Sequence, residues 1–201
     1  PFMATRLDRM MLEEALNYET DGQAYLSRMR SGDPGWDAFI AFGDGRYAEA
    51  ARLYGEALRK RERDYHSRLP RARAFYHLLE YDSAANELTQ LLARMRKDDD
   101  KTLVYFYDSK ELFEYSLGRI YYLMGRNDDA RAALGRALEE DLAFYMAHVD
   151  LAEIALKQGD TTTAISELAL AAELRGTDAG VRLRYGDALA GANQLDEAIV
   201  Q

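Results

Sequence analysis

The chain has 201 residues, 48% of them apolar, a formal charge of −9 and no cysteine. That apolar fraction is enough for a packed core, and the missing cysteines exclude disulfides, thiolate metal sites and a thiol nucleophile. No run of about 18 apolar residues occurs, so no membrane insertion is expected; three prolines amid abundant Ala, Leu, Arg and Glu favour helix over sheet.

Residues 1–31 open the chain. Leu7, Met10, Met11, Ala15 and Tyr18 recur at helical spacing, and Gly22 interrupts before Ala24, Tyr25, Leu26 and Met29. An N-terminal helical cap or a degenerate repeat is expected there. The chain begins Pro-Phe-Met with no visible secretory signal, and its lack of cysteine fits a cytoplasmic or a periplasmic home equally.

From residue 35 to 201 a ruler takes over. The segments GRYAEAARLYGEAL, LEYDSAANELTQLL, GRNDDARAALGRAL, GDTTTAISELALAA and ANQLDEAIVQ align on Ala50, Ala84, Ala130, Ala164 and Ala198. The separations are 34, 46, 34 and 34 residues, so one junction carries about twelve extra. Twelve residues before those alanines stand Ala38, Ala72, Gly118, Ala152 and Gly186. Large residues follow in the second segments at Tyr54, Leu88, Leu134 and Leu168, and then come Ala57, Leu91, Ala137 and Ala171. Each unit is therefore expected to be two amphipathic helices of about three turns, joined at Gly45, Gly125 or Gly159.

Local signals refine this pattern. Gly32, Pro34 and Gly35 are expected to shorten the first helix of the first unit. Asn127 or Asp128 is expected to start a helix, and Asp108 with Glu111 has the spacing of a capping box. The insertion, near residues 93–104, is expected to lengthen the second helix of the second unit and add a loop. It is either a tolerated insertion or a partner-contacting loop anchored by Tyr105, Phe106 and Tyr107. KDDDKTLVYFYDSKE is expected to be a solvated loop, since it lacks the alternating ligands, central glycine and placed glutamate of a calcium-binding loop. Gln201 falls inside the last second helix, so the expectation is that the natural protein continues or that the chain has been trimmed.

Charge is uneven. Arg59 to Arg73 holds seven basic residues against two acidic, whereas Ala137 to Gln201 holds twelve carboxylates against four basic residues. The acidic half would repel a phosphate backbone, so no nucleic-acid partner is expected. The basic stretch suits an acidic partner, although exposed helix faces are ordinarily charged in this way.

Chemistry-bearing patterns are sparse. His66, His77 and His148 form no pair at metal-ligand spacing, and no glycine-rich phosphate loop or nucleophile elbow occurs. No cofactor, metal or catalytic residue is expected. Fourteen tyrosines are present, many of them at helical spacing suited to a core.

The ruler, and above all LGRIYYLMGRNDDARAALGRAL and LAEIALKQGDTTTAISELALAA, resembles the tetratricopeptide repeat family, whose unit is a 34-residue helix–turn–helix. The usual early tryptophan is absent from every unit, Leu142 stands where proline often closes the unit, and a glutamate precedes Tyr81 where glycine is common. The resemblance implies an all-α, right-handed superhelical solenoid of about five repeats, the last incomplete. It implies a non-catalytic scaffold or adaptor that binds a protein or peptide partner in a groove lined by the first helices. The alternative is a regulatory or targeting module of a larger enzyme or of a secretion or envelope assembly, and either role places the chain in a multiprotein complex. Carried onto this sequence, the groove-facing positions are Arg73, Tyr76 and His77, then Tyr115, Arg119 and Tyr122, then Asp150, Glu153 and Lys157, and finally Arg184 and Asp187. The positions that would clamp a chaperone's C-terminal carboxylates hold Gly35, Phe39, Pro70, Leu112 and Ser116, so that specialised site is not implied.

Overall fold

The structure, a computed structural model, describes residues 32–60, 67–99 and 110–201. All regular structure among these residues is helical: α1 (Pro34–Gly43), α2 (Tyr47–Lys60), α3 (Arg68–His77), α4 (Tyr81–Asp99) and α5 (Lys110–Leu123), then α6 (Asn127–Glu140), α7 (Tyr145–Lys157), α8 (Thr161–Leu174), α9 (Ala179–Gly191) and α10 (Leu195–Val200). The chain divides into two compact units, Pro1–Arg94 and Met95–Gln201. The N-terminal segment, Asp108 of the expected capping box and the Tyr105–Tyr107 aromatics lie outside the described residues.

The helices pair because each carries small residues where its neighbour carries large ones. In the second unit Gly118 of α5 faces α6 so closely that an added Cβ would lie 2.9 Å from Leu134 Cγ and 3.2 Å from the Ala130 carbonyl oxygen. Ala130, Leu134 and Ala137 are almost fully buried and pack with Ala147 and Ile154 of α7. One helix pair thus hands its core to the next. A second cluster repeats the arrangement with Ala152, Ala155, Ala164, Leu168 and Ala188. In the first unit Ala38, Ala41, Ala50, Ala51, Tyr54 and Ala74 do the same. The small positions therefore set the distance between helices, and the leucines and tyrosines fill what remains.

One backbone turn closes each first helix. Gly45, Gly125 and Gly159 have φ near +75°, where a Cβ would be strained. The amide of the residue after each glycine donates five residues back, as from Arg126 to Tyr121 O at 2.9 Å and from Asp160 to Ala155 O at 2.9 Å. The same bond closes α3, from Glu80 to Phe75 O at 2.9 Å, and α9, from Gln194 to Leu189 O at 2.9 Å. In α3 the left-handed residue is Leu79, and in α9 it is Asn193, both with φ of 61°. The place of the missing glycine in the second repeat is thus Leu79, one residue earlier than the glutamate that sequence comparison singles out.

Helix boundaries match expectation at some ends and depart from it at others. Helices α5 to α9 run 13 or 14 residues, nearer four turns than three. As expected, α1 is short, with ten residues, Pro34 at its first turn and Asp33 capping the Gly35 amide at 2.9 Å. Helix α6 starts at Asn127, one of the two expected starts, although Asn127 does not serve as its cap. The cap position is Arg126, whose side chain makes no cap bond and reaches Asp129 at 2.8 Å instead. α4 extends 19 residues to Asp99, so Asp98 and Asp99 continue a helix instead of starting a loop.

Candidate functional site

In the second unit, helical periodicity places Tyr115, Arg119 and Tyr122 on one face of α5, Asp150, Glu153 and Lys157 on one face of α7, and Arg184 with Asp187 on α9. The three faces meet. Arg119 Nη1 donates to Asp150 Oδ1 at 3.0 Å, and the Tyr122 hydroxyl donates to Glu153 Oε1 at 2.5 Å. Lys157 Nζ sits 4.0 Å from the centre of the Tyr122 ring, a cation–π distance. Arg184 Nη1 stands 4.0 Å from the other oxygen of Glu153. Tyr115 packs edge-on to Phe144 at 5.2 Å. Sequence spacing anticipates the faces but not this mutual pairing, because the partners lie 31 residues apart.

The pairing shapes the electrostatics. Asp150 is 8% exposed, and its Oδ2 is buried without a hydrogen-bond partner. Burial raises its pKa, opposed by the positive charge of Arg119 and the hydroxyl of Tyr115. Asp150 is thus an interior anchor for Arg119, not an exposed contact. Burial also raises the Tyr122 pKa, with the hydrogen bond to Glu153 adding to it, so the phenol stays neutral and donates.

Between α7, α8 and α9 lies an open cleft of about 300 Å³. Ala152, Leu156, Leu168 and Ala188 give it an apolar floor and wall, and Glu153, Arg184 and Asp187 give it a charged rim. No charged or hydrogen-bonded partner of Asp187 occurs among the described residues.

The first unit places its three expected residues differently. The His77 ring stacks on Tyr47 with centroids 4.3 Å apart and meets Phe42 edge-on at 5.7 Å. Tyr76 packs against His77 and Tyr81. The Arg73 guanidinium lies 5.6 Å from the centre of the Phe42 ring. Burial, helped by Arg73, lowers the His77 pKa. These side chains form a half-buried aromatic cluster with α1 and α2.

Three buried polar clusters escaped sequence reading. Glu114, fully buried, accepts Arg96 Nη2 at 2.5 Å and Arg136 Nη2 at 2.9 Å. Glu87, 4% exposed, accepts Arg71 Nη1 at 2.6 Å and Arg68 Nη1 at 2.8 Å. Buried His148 meets Glu167 Oε2 at 2.7 Å through Nδ1. A signal for two of them was present. Glu114 and His148 each stand four residues before a ruler position, Gly118 or Ala152, where the resembled family usually carries tryptophan. A polar residue at a core position needs a partner. Among the described residues, no group of His, Asp and Glu has the geometry to hold a metal ion, and no helix is long and apolar enough to cross a membrane.

These features define a class of helical-repeat proteins. The tetratricopeptide repeat family model matches residues 40–100 and 115–180. The chain belongs to the tetratricopeptide repeat family. Among solved structures it is similar to a crystal structure of MamA, with 17% identity over 81% of this chain and 88% of that one and a TM-score of 0.67. It also resembles the C-terminal part of a TPR repeat-containing protein from Cytophaga hutchinsonii, with 19% identity over 81% of this chain and 61% of that one and a TM-score of 0.65. A third is YrrB, described as a TPR protein with an unusual peptide-binding site, with 16% identity over 80% and 77% of the two chains and a TM-score of 0.59. Among curated proteins, none matches the sequence. At these identities the likeness establishes the fold.

Proposed function

We propose that this chain is a non-catalytic adaptor that binds a segment of a partner protein along the first helices of its repeats. The carrying observation is the continuous row of Tyr115, Arg119, Tyr122, Glu153, Lys157, Arg184 and Asp187 across α5, α7 and α9, beside an open apolar-floored cleft. Preformed ion pairs hold this row in place, so a ligand meets a surface that is already ordered. Tyrosine and arginine are the residues that concentrate binding energy at interfaces. The peptide-binding site named for YrrB is consistent with such use of the fold.

The test is affinity capture with chemical cross-linking, comparing the wild-type protein, the double variant Lys157→Glu/Arg184→Glu, and Glu139→Lys on an exposed position of α6. A partner recovered by the wild type and Glu139→Lys, and lost by the double variant, supports the reading. Equal recovery by all three would retire it.

A further inference from the structure

The open cleft has a closed counterpart within the same unit, displaced by one repeat. Adding 34 residues to Gly118, Leu134 and Ile154 gives Ala152, Leu168 and Ala188, which line the open cleft. Adding 34 to Tyr122 and Glu153 gives Leu156 and Asp187, and adding 34 to Arg119 and Asp150 gives Glu153 and Arg184. The two places are the same niche built twice.

They differ in what fills them. In the α5–α7 niche the Tyr122 ring occupies the space, its hydroxyl bonds Glu153, and no room for a water remains. In the α7–α9 niche Leu156 replaces the tyrosine and Ala188 replaces the isoleucine, and about 300 Å³ stands open. Asp187 occupies the place of the carboxylate that receives the Tyr122 hydroxyl, and the leucine at 156 offers it no donor. The ion pair beneath is kept with reversed polarity and lengthened, from 3.0 Å for Arg119–Asp150 to 4.0 Å for Glu153–Arg184.

Resting on the proposed partner-binding role, we infer that the α7–α9 niche takes a tyrosine side chain of the partner segment. Its ring lies on Ala152, Leu168 and Ala188, and its hydroxyl donates to Asp187. The ligand thereby supplies what Tyr122 supplies internally one repeat earlier. Ring and hydroxyl are both required. An aliphatic side chain offers Asp187 no donor, and an acidic one is repelled by Asp187 and Glu153.

The probes are N-acetyl-tyrosinamide, N-acetyl-phenylalaninamide and N-acetyl-leucinamide, titrated into the isotope-labelled full chain and followed by amide chemical shifts. The tyrosine probe is expected to shift amides around Ala152, Leu156, Asp187 and Ala188, and to bind about tenfold more tightly than the phenylalanine probe, as for a hydrogen bond to a charged acceptor. Leu156→Tyr, which rebuilds the internal plug, is expected to abolish those shifts, and Ala188→Ile to weaken them. Asp187→Ala is expected to equalise tyrosine and phenylalanine. Shifts that survive in both filled-niche variants, equal binding of all three probes, or no shifts at the niche would overturn the inference. If the probes fail while the Lys157→Glu/Arg184→Glu variant still loses its partner, the tyrosine specificity falls and the adaptor reading stands.

Discussion

Gly118 and Gly135 sit in adjacent helices of one repeat and answer the same substitution oppositely. At Gly118 a new Cβ would press on Leu134 and on a backbone carbonyl of α6, whereas at Gly135 nothing lies within 4 Å. Gly118→Ala is expected to lower stability by about 1–3 kcal/mol through overpacking. Gly135→Ala is expected to raise it by about 0.5–1 kcal/mol by stiffening a helix position where a Cβ meets no neighbour. Thermal denaturation followed by circular dichroism reads both, and a stable Gly118→Ala protein would show that the close approach is not needed. The importance of Gly118 was legible in the sequence because it falls on the ruler beside bulky neighbours. The buried state of Glu87 and Glu114 was not. Their arginines lie 16 to 22 residues away along the chain, so in sequence they look like ordinary surface carboxylates.

At the level of helices, charge does work that the family usually gives to an aromatic ring. Glu114 of α5 draws in Arg96 from the end of α4 and Arg136 from α6, so one carboxylate ties three helices together. The desolvation is unequal: the glutamate side chain is 1% exposed, while the two arginines are 43% and 35% exposed. Removing Glu114 frees arginines that are already partly in water. Removing both arginines strands a buried anion, which costs about 3–5 kcal/mol or forces its protonation. The variant Arg96→Ala/Arg136→Ala is therefore expected to be much less stable than Glu114→Gln in urea denaturation. The reverse order would show that packing around the arginine stems dominates. Helix pairing itself was readable from the alternation of small and large residues. The helix ends were less so, because α4 runs on to Asp99, into aspartates that composition assigns to a loop.

At the scale of the whole molecule, the chain is two compact units, and within each the core clusters are shared between adjacent helices. Stability in such an array is a sum of unit and nearest-neighbour terms. Within the second unit, α10 contributes no buried residue, while α6 buries Ala130, Ala133, Leu134 and Ala137. Amide exchange is expected to finish in α10 while α6 and α7 stay protected. Leu134→Ala is expected to speed exchange in α5 to α7 more than in α9 and α10. Uniform acceleration across the unit would show that it opens as one cooperative block. The 34-residue period made the repeat order legible because spacing survives when identities change. The clefts were not legible, since a niche depends on what a neighbouring helix leaves unfilled.

The turn that closes α1, α3, α5, α7 and α9 is written in main-chain hydrogen bonds and a single left-handed residue. Selection on that turn therefore acts on one dihedral angle and leaves the neighbouring side chains free to drift. Glycine fills the position three times, leucine once and asparagine once, with the same closure each time. Units built on this turn can thus differ at nearly every letter and still stack, with one niche filled by its own side chain and the next left open.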